Sequence, residues 1–385
     1  MTRRGFMGVA SAGLAWPAAP PIQKVEVFPV VYPVTGHFRF FPKPERPAVF
    51  VKITCEDGTA GWGQSVPTHT WSYETPQSVV TTLREYLAPA IAGLNPLDIA
   101  SVHKAMNRAI APSFSTGMPI AKAGIDLALH DIAGKLAKQP LALLWGRKPL
   151  DRITMSWTLN PRTLAETEPL LEEGRKRGYR HFNIKVAPDP KFDLALARTV
   201  RKLAPDCFLW ADANGGYDPS TALQVAPKLA DAGVDVFEQP VAANRLSAFA
   251  DLKKQGALPI LMDEGIVSSV ELIEFIRLGL LDGVAMKPAR TAGLYDAKRQ
   301  VEILREAGMM VLGSGLTDPD TSLAASLILY GAYQVTQPCA LNGPQFLTGS
   351  FLKQPFTLKD GTLATPTSPG LGVEPDEDRI RRQSI

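Results

Sequence analysis

The sequence has few cysteines, no long apolar run and little net charge. Its three cysteines, Cys55, Cys207 and Cys339, lie far apart without a CxxC pair, which argues against a disulfide framework or a zinc–thiolate site. No apolar stretch approaches the roughly 20 residues that a membrane-spanning helix needs. The 41 basic and 38 acidic residues give a net charge of +3 without a long basic run, so nothing indicates a nucleic-acid or membrane-surface partner.

What is present is the composition of an ordinary globular chain. The 385 residues are 45% hydrophobic and 21% charged. A chain of this length exceeds what one hydrophobic core usually serves, so we expect one large domain with a smaller companion.

The N-terminus has the residue order of an export signal. Arg3 and Arg4 are followed by Phe6 and by a small, mildly apolar stretch over residues 8–19, an order similar to that of the bacterial twin-arginine signal. No clean small-x-small cleavage site ends the stretch. We therefore expect residues 1–21 to be either a signal or a flexible extension, with a periplasmic location in the first case and a cytoplasmic one in the second.

Two patterns divide the rest of the chain. In residues 22–148, alternating and β-branched runs predict a small antiparallel sheet, and apolar residues at helical spacing then predict helices over 77–87, 97–109 and 118–136, which together make an α+β domain. Residues 149–347 alternate short apolar runs with helical patterns. Strands buried on both faces and joined by crossover helices are typical of a parallel sheet.

The number of these units predicts an α/β fold of the barrel type. Seven or eight strand–helix units in about 190 residues favour a closed (β/α) barrel over an open doubly wound sheet, and no GxGxxG follows the first strand. Residues 348–385 are predicted to return to the first domain. The predicted barrel strands cover residues 153–158, 182–186, 208–211, 234–238, 260–263, 283–287 and 309–312.

One charged residue ends each of five consecutive predicted strands, at intervals of 24 to 27 residues: Lys185, Asp212, Glu238, Asp263 and Lys287. In a barrel these strand ends surround one mouth, so the five side chains should converge. An isolated buried charge costs many kcal/mol and three adjacent carboxylates repel one another, so a hard divalent cation is the simplest partner. Oxygen ligands without cysteine favour Mg²⁺ over zinc.

Each of these residues also has a structural interpretation. A strand-end aspartate often caps the next helix or forms a turn, and the lysines could merely neutralise the acids. The order and even spacing of all five together favour a functional site.

These residues and their neighbours resemble the enolase superfamily, in its muconate-lactonizing-enzyme-like branch. The similarity extends from the strands near Val25 to residues 369–372 and rests on residues 185, 210–214, 237–240, 262–264, 286–288 and 293–294. It implies a modified TIM-type barrel with an α+β N-terminal capping domain, with Asp212, Glu238 and Asp263 as Mg²⁺ ligands and Lys185 and Lys287 as acid/base groups on either side of the substrate.

Two differences within the superfamily bear on the activity. Members similar to mandelate racemase use a histidine on the seventh strand, whereas residues 313–315 here are Gly-Ser-Gly. The usual Lys-x-Lys of the second strand begins with Asn183 here, which leaves the charge balance around Lys185 open.

The charges suit the removal of a proton next to a carboxylate. The product is a dianionic enediolate, which a divalent cation stabilises. A lysine close to a metal is disfavoured as a cation and can act as a base near neutrality. One lysine on each face can deprotonate either enantiomer, or one can deprotonate while the other assists a leaving group. This pattern does not choose between racemisation, cycloisomerisation and elimination of water.

Residues 313–322, 156–158 and 342–347 resemble the cis-3-hydroxy-L-proline dehydratase members. The resemblance implies that an aspartate of the Asp-Pro-Asp segment pairs with a substrate ammonium and that a threonine contacts a hydroxyl, although the aspartates equally suit a helix N-terminus. Loops of the small domain would close over the mouth. The candidate substrate-binding residues are Thr158, Asn214, Thr317, Asp318, Asp320, Asn342, His37 and Trp71.

Our hypothesis is a Mg²⁺-dependent enzyme that abstracts the α-proton of a small amino- or imino-acid carboxylate, with hydroxyproline dehydration as the first choice. An amino-acid racemase or epimerase, a muconate-type cycloisomerase and a non-catalytic carboxylate-binding barrel are the alternatives. We expect a small-molecule carboxylate as partner, no nucleic acid, no membrane and a homo-oligomer.

Overall fold

A computed structural model of the protein describes residues 19–113 and 115–385. The arginine pair of the predicted export signal lies outside the described residues. Within them, none of the helices is both long enough and apolar enough to cross a membrane.

The first part of the chain forms a three-stranded antiparallel sheet covered by helices. Its strands, in the order β1-β2-β3, are β1 (Ile22–Pro33), β2 (Glu45–Cys55) and β3 (Ala60–Ser65). The helices are α1 (Pro76–Thr81), which continues through a π-helical turn (Thr82–Leu87) into α2 (Ala88–Ile91), followed by α3 (Ile99–Ala109), α4 (Pro119–Ala137) and α5 (Leu141–Leu144).

Helix α4 lies directly on β3 because glycines allow the two backbones to approach. A Cβ added at Gly63 would clash with the carbonyl oxygen of Gly124 on α4. The buried carboxylate of Glu74 accepts the main-chain N–H groups of Ile120 and Ala121, at 2.7 and 2.8 Å, and so satisfies donors that the first turn of α4 leaves free. The loop that ends at Glu74 is thereby fixed to this helix.

The three predicted helices of this part are present with small differences at their ends. The first extends through the π-helical turn to Ile91. The second begins at Ile99 rather than at residue 97, because the Asp98 side chain caps it by accepting the N–H of Ser101 at 3.1 Å.

The second part of the chain is a parallel barrel. Seven strands lie side by side in chain order: β5 (Ser156–Leu159), β6 (His181–Lys185), β7 (Leu209–Asp212), β8 (Val236–Glu238), β9 (Ile260–Met262), β10 (Gly283–Met286) and β11 (Met310–Gly313). The helices between and after them are α6 (Thr167–Lys176), α7 (Pro190–Leu203), α8 (Pro219–Asp231), α9 (Leu246–Gln255), α10 (Ser269–Arg277), α11 (Leu294–Glu306) and α12 (Asp320–Ala332), with 3₁₀ turns at Leu164–Glu166 and Pro288–Arg290.

Residues 339–340 close the barrel between its first and last strands. Met155, just before β5, forms a parallel bridge with Cys339, and Ser314, just after β11, forms one with Ala340. The N–H of Ser156 donates to the Cys339 carbonyl at 2.8 Å. The predicted α/β class and barrel are therefore confirmed, with the eighth position held by two residues.

The first predicted barrel strand is divided in two. Strand β4 (Arg152–Thr154) pairs antiparallel with β12 (Thr362–Ala364), and only β5 belongs to the barrel. After the short helix α13 (Gly343–Phe346), the chain ends in α14 (Glu377–Gln383), where Glu377 accepts from Lys52 of β2 at 2.7 Å. The C-terminal segment therefore contacts the antiparallel sheet.

Candidate active site

Three carboxylates meet where β7, β8 and β9 end. One oxygen of each of Asp212, Glu238 and Asp263 lies within 4.8 Å of the other two, and all three side chains are buried. Asp212 pairs in register with Glu238 across the neighbouring strands, which places their side chains together. Three oxygens at this spacing can contact a single cation.

The electrostatics of the three carboxylates fit a divalent cation. Burial, and then the charges of Asp212 and Asp263, raise the pKa of Glu238 well above its usual value. Its Oε1 has no hydrogen-bond partner among the described residues. Burial would also raise the pKa of Asp263, but the charges of Lys287 and Arg290 hold it below its usual value. A buried all-oxygen donor set with one unsatisfied oxygen suits Mg²⁺.

The two lysines stand on opposite sides of the barrel mouth. Lys185 ends β6 and Lys287 follows β10, and three barrel positions separate these strands in either direction around the ring. The Lys185 ammonium contacts Asp212 Oδ2, and Lys287 Nζ lies 2.5 Å from Asp263 Oδ2. The carboxylates occupy the sector between the lysines on one side, which leaves the other side for a substrate.

Arg290 and Glu264 also belong to the site, although the sequence did not single them out. The guanidinium of Arg290 is 1% exposed, contacts the second oxygen of Asp263 and donates to the carbonyls of Ile266 and Ala285 at 2.8 and 3.0 Å. Burial, followed by the charges of Asp263 and Asp212, raises the pKa of Glu264 well above its usual value. The sequence signal for Glu264 was its place beside Asp263 in the segment 262–264, which carries part of the family resemblance.

Four of the five charged groups, all except Asp263, line a small cavity of about 30 Å³ between the barrel and the loops of the antiparallel sheet domain. Two loops, residues 34–44 and 66–75, supply an aromatic wall to it. The cavity is lined by Phe38, Phe40, Phe41, Thr68, Trp71, Asn183, Lys185, Asp212, Asn214, Glu238, Lys287, Ser314, Gly315, Leu316, Thr317, Ala340 and Asn342.

Each lysine lies beside one aromatic ring from these loops. Lys185 Nζ is 5.8 Å from the centre of the Phe38 ring, which stacks on Phe346 at 4.8 Å. Lys287 Nζ is 4.6 Å from the Trp71 ring. The loops therefore cover the reacting groups and limit access of water to them.

Four of the predicted substrate-binding residues line this cavity: Trp71, Asn214, Thr317 and Asn342. Asn214 also accepts a hydrogen bond from Arg39 at 2.8 Å, and Arg39 donates to the carbonyl of Val186 at 3.0 Å. This arginine fastens the first loop to the barrel. Asn183 lines the cavity as well, with neither amide atom hydrogen-bonded within the described part of the chain.

The structure places the other four away from the cavity lining. The main-chain N–H and carbonyl of Thr158 exchange two hydrogen bonds with the side-chain amide of Gln345, at 2.9 and 2.8 Å, while the Thr158 hydroxyl has no hydrogen-bond partner within the described residues. The Asp318 carboxylate accepts from Ser322 Oγ at 2.8 Å, and the Nδ1 of His37 lies 3.2 Å from a guanidinium nitrogen of Arg162 on the surface.

The Asp320 carboxylate is also engaged in hydrogen bonds within the protein. It accepts from the Tyr32 hydroxyl at 2.5 Å, the Ser350 hydroxyl at 2.6 Å and the Phe351 N–H at 2.8 Å, so it links the barrel to the sheet domain and the C-terminal segment.

Comparisons with known proteins agree with this geometry. Residues 25–146 match the family model described as "Mandelate racemase / muconate lactonizing enzyme, N-terminal domain", and residues 166–379 match "Enolase C-terminal domain-like". The chain is 30% identical to a chloromuconate cycloisomerase of Pseudomonas putida over 83% of this chain and 86% of that protein. It is 28% identical to the N-succinyl-L-Arg/Lys racemase of Bacillus cereus over 89% and 91% of the two chains.

Solved structures of known proteins are also similar to this chain. The muconate lactonizing enzyme from Pseudomonas putida superimposes with a TM-score of 0.86 at 26% identity, covering 95% of this chain and 100% of that one. The N-succinyl Arg/Lys racemase from Bacillus cereus superimposes with a TM-score of 0.87 at 26% identity, covering 95% and 98%.

Proposed function

The chain belongs to the enolase superfamily, in the branch of mandelate racemase and muconate lactonizing enzyme, and from this premise we propose that it removes the α-proton of a small amino- or imino-acid carboxylate with Mg²⁺ as cofactor. The observation that carries the proposal is the placement of Lys185 and Lys287 across the mouth from each other, each in contact with a carboxylate of the triad. A substrate held between them presents one face to each amine.

Asp212, Glu238 and Asp263 would hold the Mg²⁺ ion. When bound, it supplies positive charge where negative charge develops on the substrate carboxylate. One lysine accepts the α-proton at its Nζ as a general base, and the lysine on the opposite face delivers a proton from its Nζ. The aromatic rings of the two loops exclude water from both amines while this happens.

For the substrate, we propose a hydroxyproline and dehydration. Of the described residues that line the cavity, only the two lysines are cationic, so a second substrate carboxylate, such as muconate carries, would lack a cation of its own. A ring with one carboxylate, one ammonium and one hydroxyl suits the aromatic wall and the amide atoms of Asn183 and Asn342 that have no hydrogen-bond partner among the described residues.

In the elimination, the electrons of the Cα–H bond form the new double bond and the hydroxyl leaves from the neighbouring carbon. One lysine takes the α-proton, the other protonates the departing hydroxyl to water, and the resulting enamine tautomerises to a cyclic imine.

A racemase or epimerase is the second candidate, because bases on opposite faces also suit inversion at Cα. The similarity to the N-succinyl-L-Arg/Lys racemase supports this candidate, while the similarity to cycloisomerases supports the proton chemistry more generally.

Incubation in D₂O with Mg²⁺ distinguishes these reactions. We expect cis-3-hydroxy-L-proline to lose water, with a cyclic imine seen by NMR. A racemase would instead return the amino acid deuterated at Cα, and a cycloisomerase would convert muconate to a lactone. A control without Mg²⁺, in excess chelator, should be inactive in each case. If none of a panel of hydroxyprolines, amino acids and N-acyl amino acids loses its α-proton, either in conversion to product or by exchange with deuterium, the proposed function is wrong.

We also propose that the enzyme is a homo-oligomer, which sedimentation of the purified protein would measure.

We further propose that the twin-arginine segment directs the protein to the periplasm. Fractionation of a bacterial host should place the natural protein in the periplasm. Replacing Arg3 and Arg4 together by lysine should leave it in the cytoplasm. The same cytoplasmic location for both proteins would contradict export.

A further inference from the structure

Arg46 is a fully buried cation whose hydrogen bonds go to main-chain carbonyls. It lies near the start of β2 and is 0% exposed. One terminal nitrogen donates to the carbonyls of Pro47 and Pro67 at 2.8 and 2.6 Å, and the other donates to those of Val66 and Leu316 at 2.8 and 2.7 Å. Its Nε has no hydrogen-bond partner among the described residues. Burying a charge is costly, and more so when one donor lacks a partner, so we looked for a function of the segments that Arg46 holds.

The segments that Arg46 holds are walls of the substrate cavity. Its guanidinium lies 5.5 Å from the ring of Phe41 in the first loop. The carbonyls of Val66 and Pro67 immediately precede Thr68 of the second loop, and Leu316 belongs to the loop after β11. Phe41, Thr68 and Leu316 all line the cavity. One guanidinium thus connects both loops of the sheet domain to the barrel.

The bond to Leu316 also bears on the next residue, Thr317. Thr317 has a φ of +54°, in the left-handed region that a β-branched residue rarely adopts. Such a conformation persists only where the surroundings over-determine it. The hydrogen bond from Arg46 to the Leu316 carbonyl fixes the peptide group that leads into Thr317, and therefore the direction in which its side chain enters the cavity.

We propose that Arg46 is a positioning residue that sets the affinity for substrate by holding the two loops and Thr317 in their binding arrangement, without touching the substrate itself. The acid/base lysines and the carboxylates belong to the barrel and make no contact with Arg46. Its removal should therefore weaken substrate binding far more than it slows the chemistry.

The test compares Arg46→Lys and Arg46→Met with Arg84→Met in the full chain with Mg²⁺. Arg84 is a suitable control because it also donates to a main-chain carbonyl of the sheet, that of Val27 at 3.0 Å, and does not line the cavity. With cis-3-hydroxy-L-proline, a choice that rests on the proposed function, both Arg46 variants should raise KM by about tenfold or more and change kcat by less than about threefold. Arg84→Met should change neither. A loss confined to kcat would overturn the proposal.

A second measurement does not need turnover. Amide hydrogen exchange should become faster in residues 66–75 and 314–318 of the Arg46 variants and stay unchanged there in Arg84→Met. Unchanged exchange in both segments would overturn the proposal even if the protein proved inactive on hydroxyprolines, an outcome that counts against the proposed function alone. If both Arg46 variants fail to fold, Asp318→Asn replaces them. The Asp318 carboxylate accepts the N–H of Leu316, the residue whose carbonyl accepts from Arg46, so Asp318→Asn should speed exchange in residues 66–75 through Arg46. Unchanged exchange in residues 66–75 would then overturn the proposal.

A double-mutant cycle isolates the role of Thr317. Glycine adopts a positive φ without strain, so Thr317→Gly no longer needs the peptide to be held. The effect of Arg46→Lys on KM should therefore be at least about threefold smaller in the Thr317→Gly background than in the natural protein. If Arg46→Lys raises KM by the same factor in both backgrounds, the part of the proposal that concerns Thr317 is wrong.

Discussion

Replacing Lys287 by methionine is expected to lower kcat by about 10³-fold or more, because general acid–base groups contribute about 10² to 10⁴ each and no other amine lies on that face of the described cavity. Methionine keeps the side chain except for its terminal ammonium, so most of the packing beside Trp71 is retained. The measurement is steady-state turnover with Mg²⁺, together with the rate of α-proton exchange in D₂O. Lys185→Met should be similarly inactive in turnover.

Lys298→Met is the matched control for this variant. Lys298 Nζ lies 4.6 Å from the ring of Trp145, as Lys287 Nζ lies 4.6 Å from that of Trp71, but Lys298 is on α11 outside the cavity lining. Its replacement removes an equivalent lysine–tryptophan contact and should leave activity within about twofold.

The two lysine variants should also differ in which enantiomer they exchange. Because Lys185 and Lys287 approach from opposite faces, each variant retains a base for only one configuration at Cα. Full activity of Lys287→Met would remove this lysine from the mechanism. Loss of exchange with the same enantiomer in both variants would show that the amines do not work from opposite faces.

The sequence predicted the barrel and its charged groups because both depend on a repeating local pattern. Strand–helix units of even length place one strand end per unit at the same rim, so Lys185, Asp212, Glu238, Asp263 and Lys287 could be identified from spacing alone. The observed strands of β6 to β11 begin and end within two residues of the predicted ones. The family resemblance is confirmed by the match to both family models.

The rest of the site depends on contacts between residues that are distant in sequence. Arg46 is one of 41 basic residues in the sequence, and only the folded chain brings it to Leu316, 270 positions away. Asp320 appeared suited to a substrate ammonium because its sequence context does not reveal Tyr32 or Ser350. The sequence also could not predict that residues 339–340 close the barrel, because a segment of two residues is too short to show a hydrophobic periodicity.

Glu238→Gln is expected to abolish Mg²⁺ binding and turnover, and yet to make the protein more resistant to heat when chelator is present. Burial and the charges of Asp212 and Asp263 raise the pKa of Glu238 above its unfolded value of 4.5. The folded state therefore binds a proton more tightly than the unfolded state does. This contribution to stability is present at low pH and is lost as the pH rises from 4.5 through the folded pKa. Glutamine carries no charge, so the folded Glu238→Gln protein does not lose stability in this way as the pH rises.

Thermal unfolding between pH 5 and 8, with Mg²⁺ or with chelator, measures both effects. The natural protein should gain about 2.7 kcal/mol when Mg²⁺ is 100-fold above its dissociation constant, and Glu238→Gln should gain almost nothing. Glu74→Gln is the matched control, because burial raises the pKa of this carboxylate to about 7 in the other domain, away from the triad. It should keep the full Mg²⁺ response. An equal Mg²⁺ response in Glu238→Gln would mean that these carboxylates do not share one ion, and the proposed chemistry would lose its electrostatic basis.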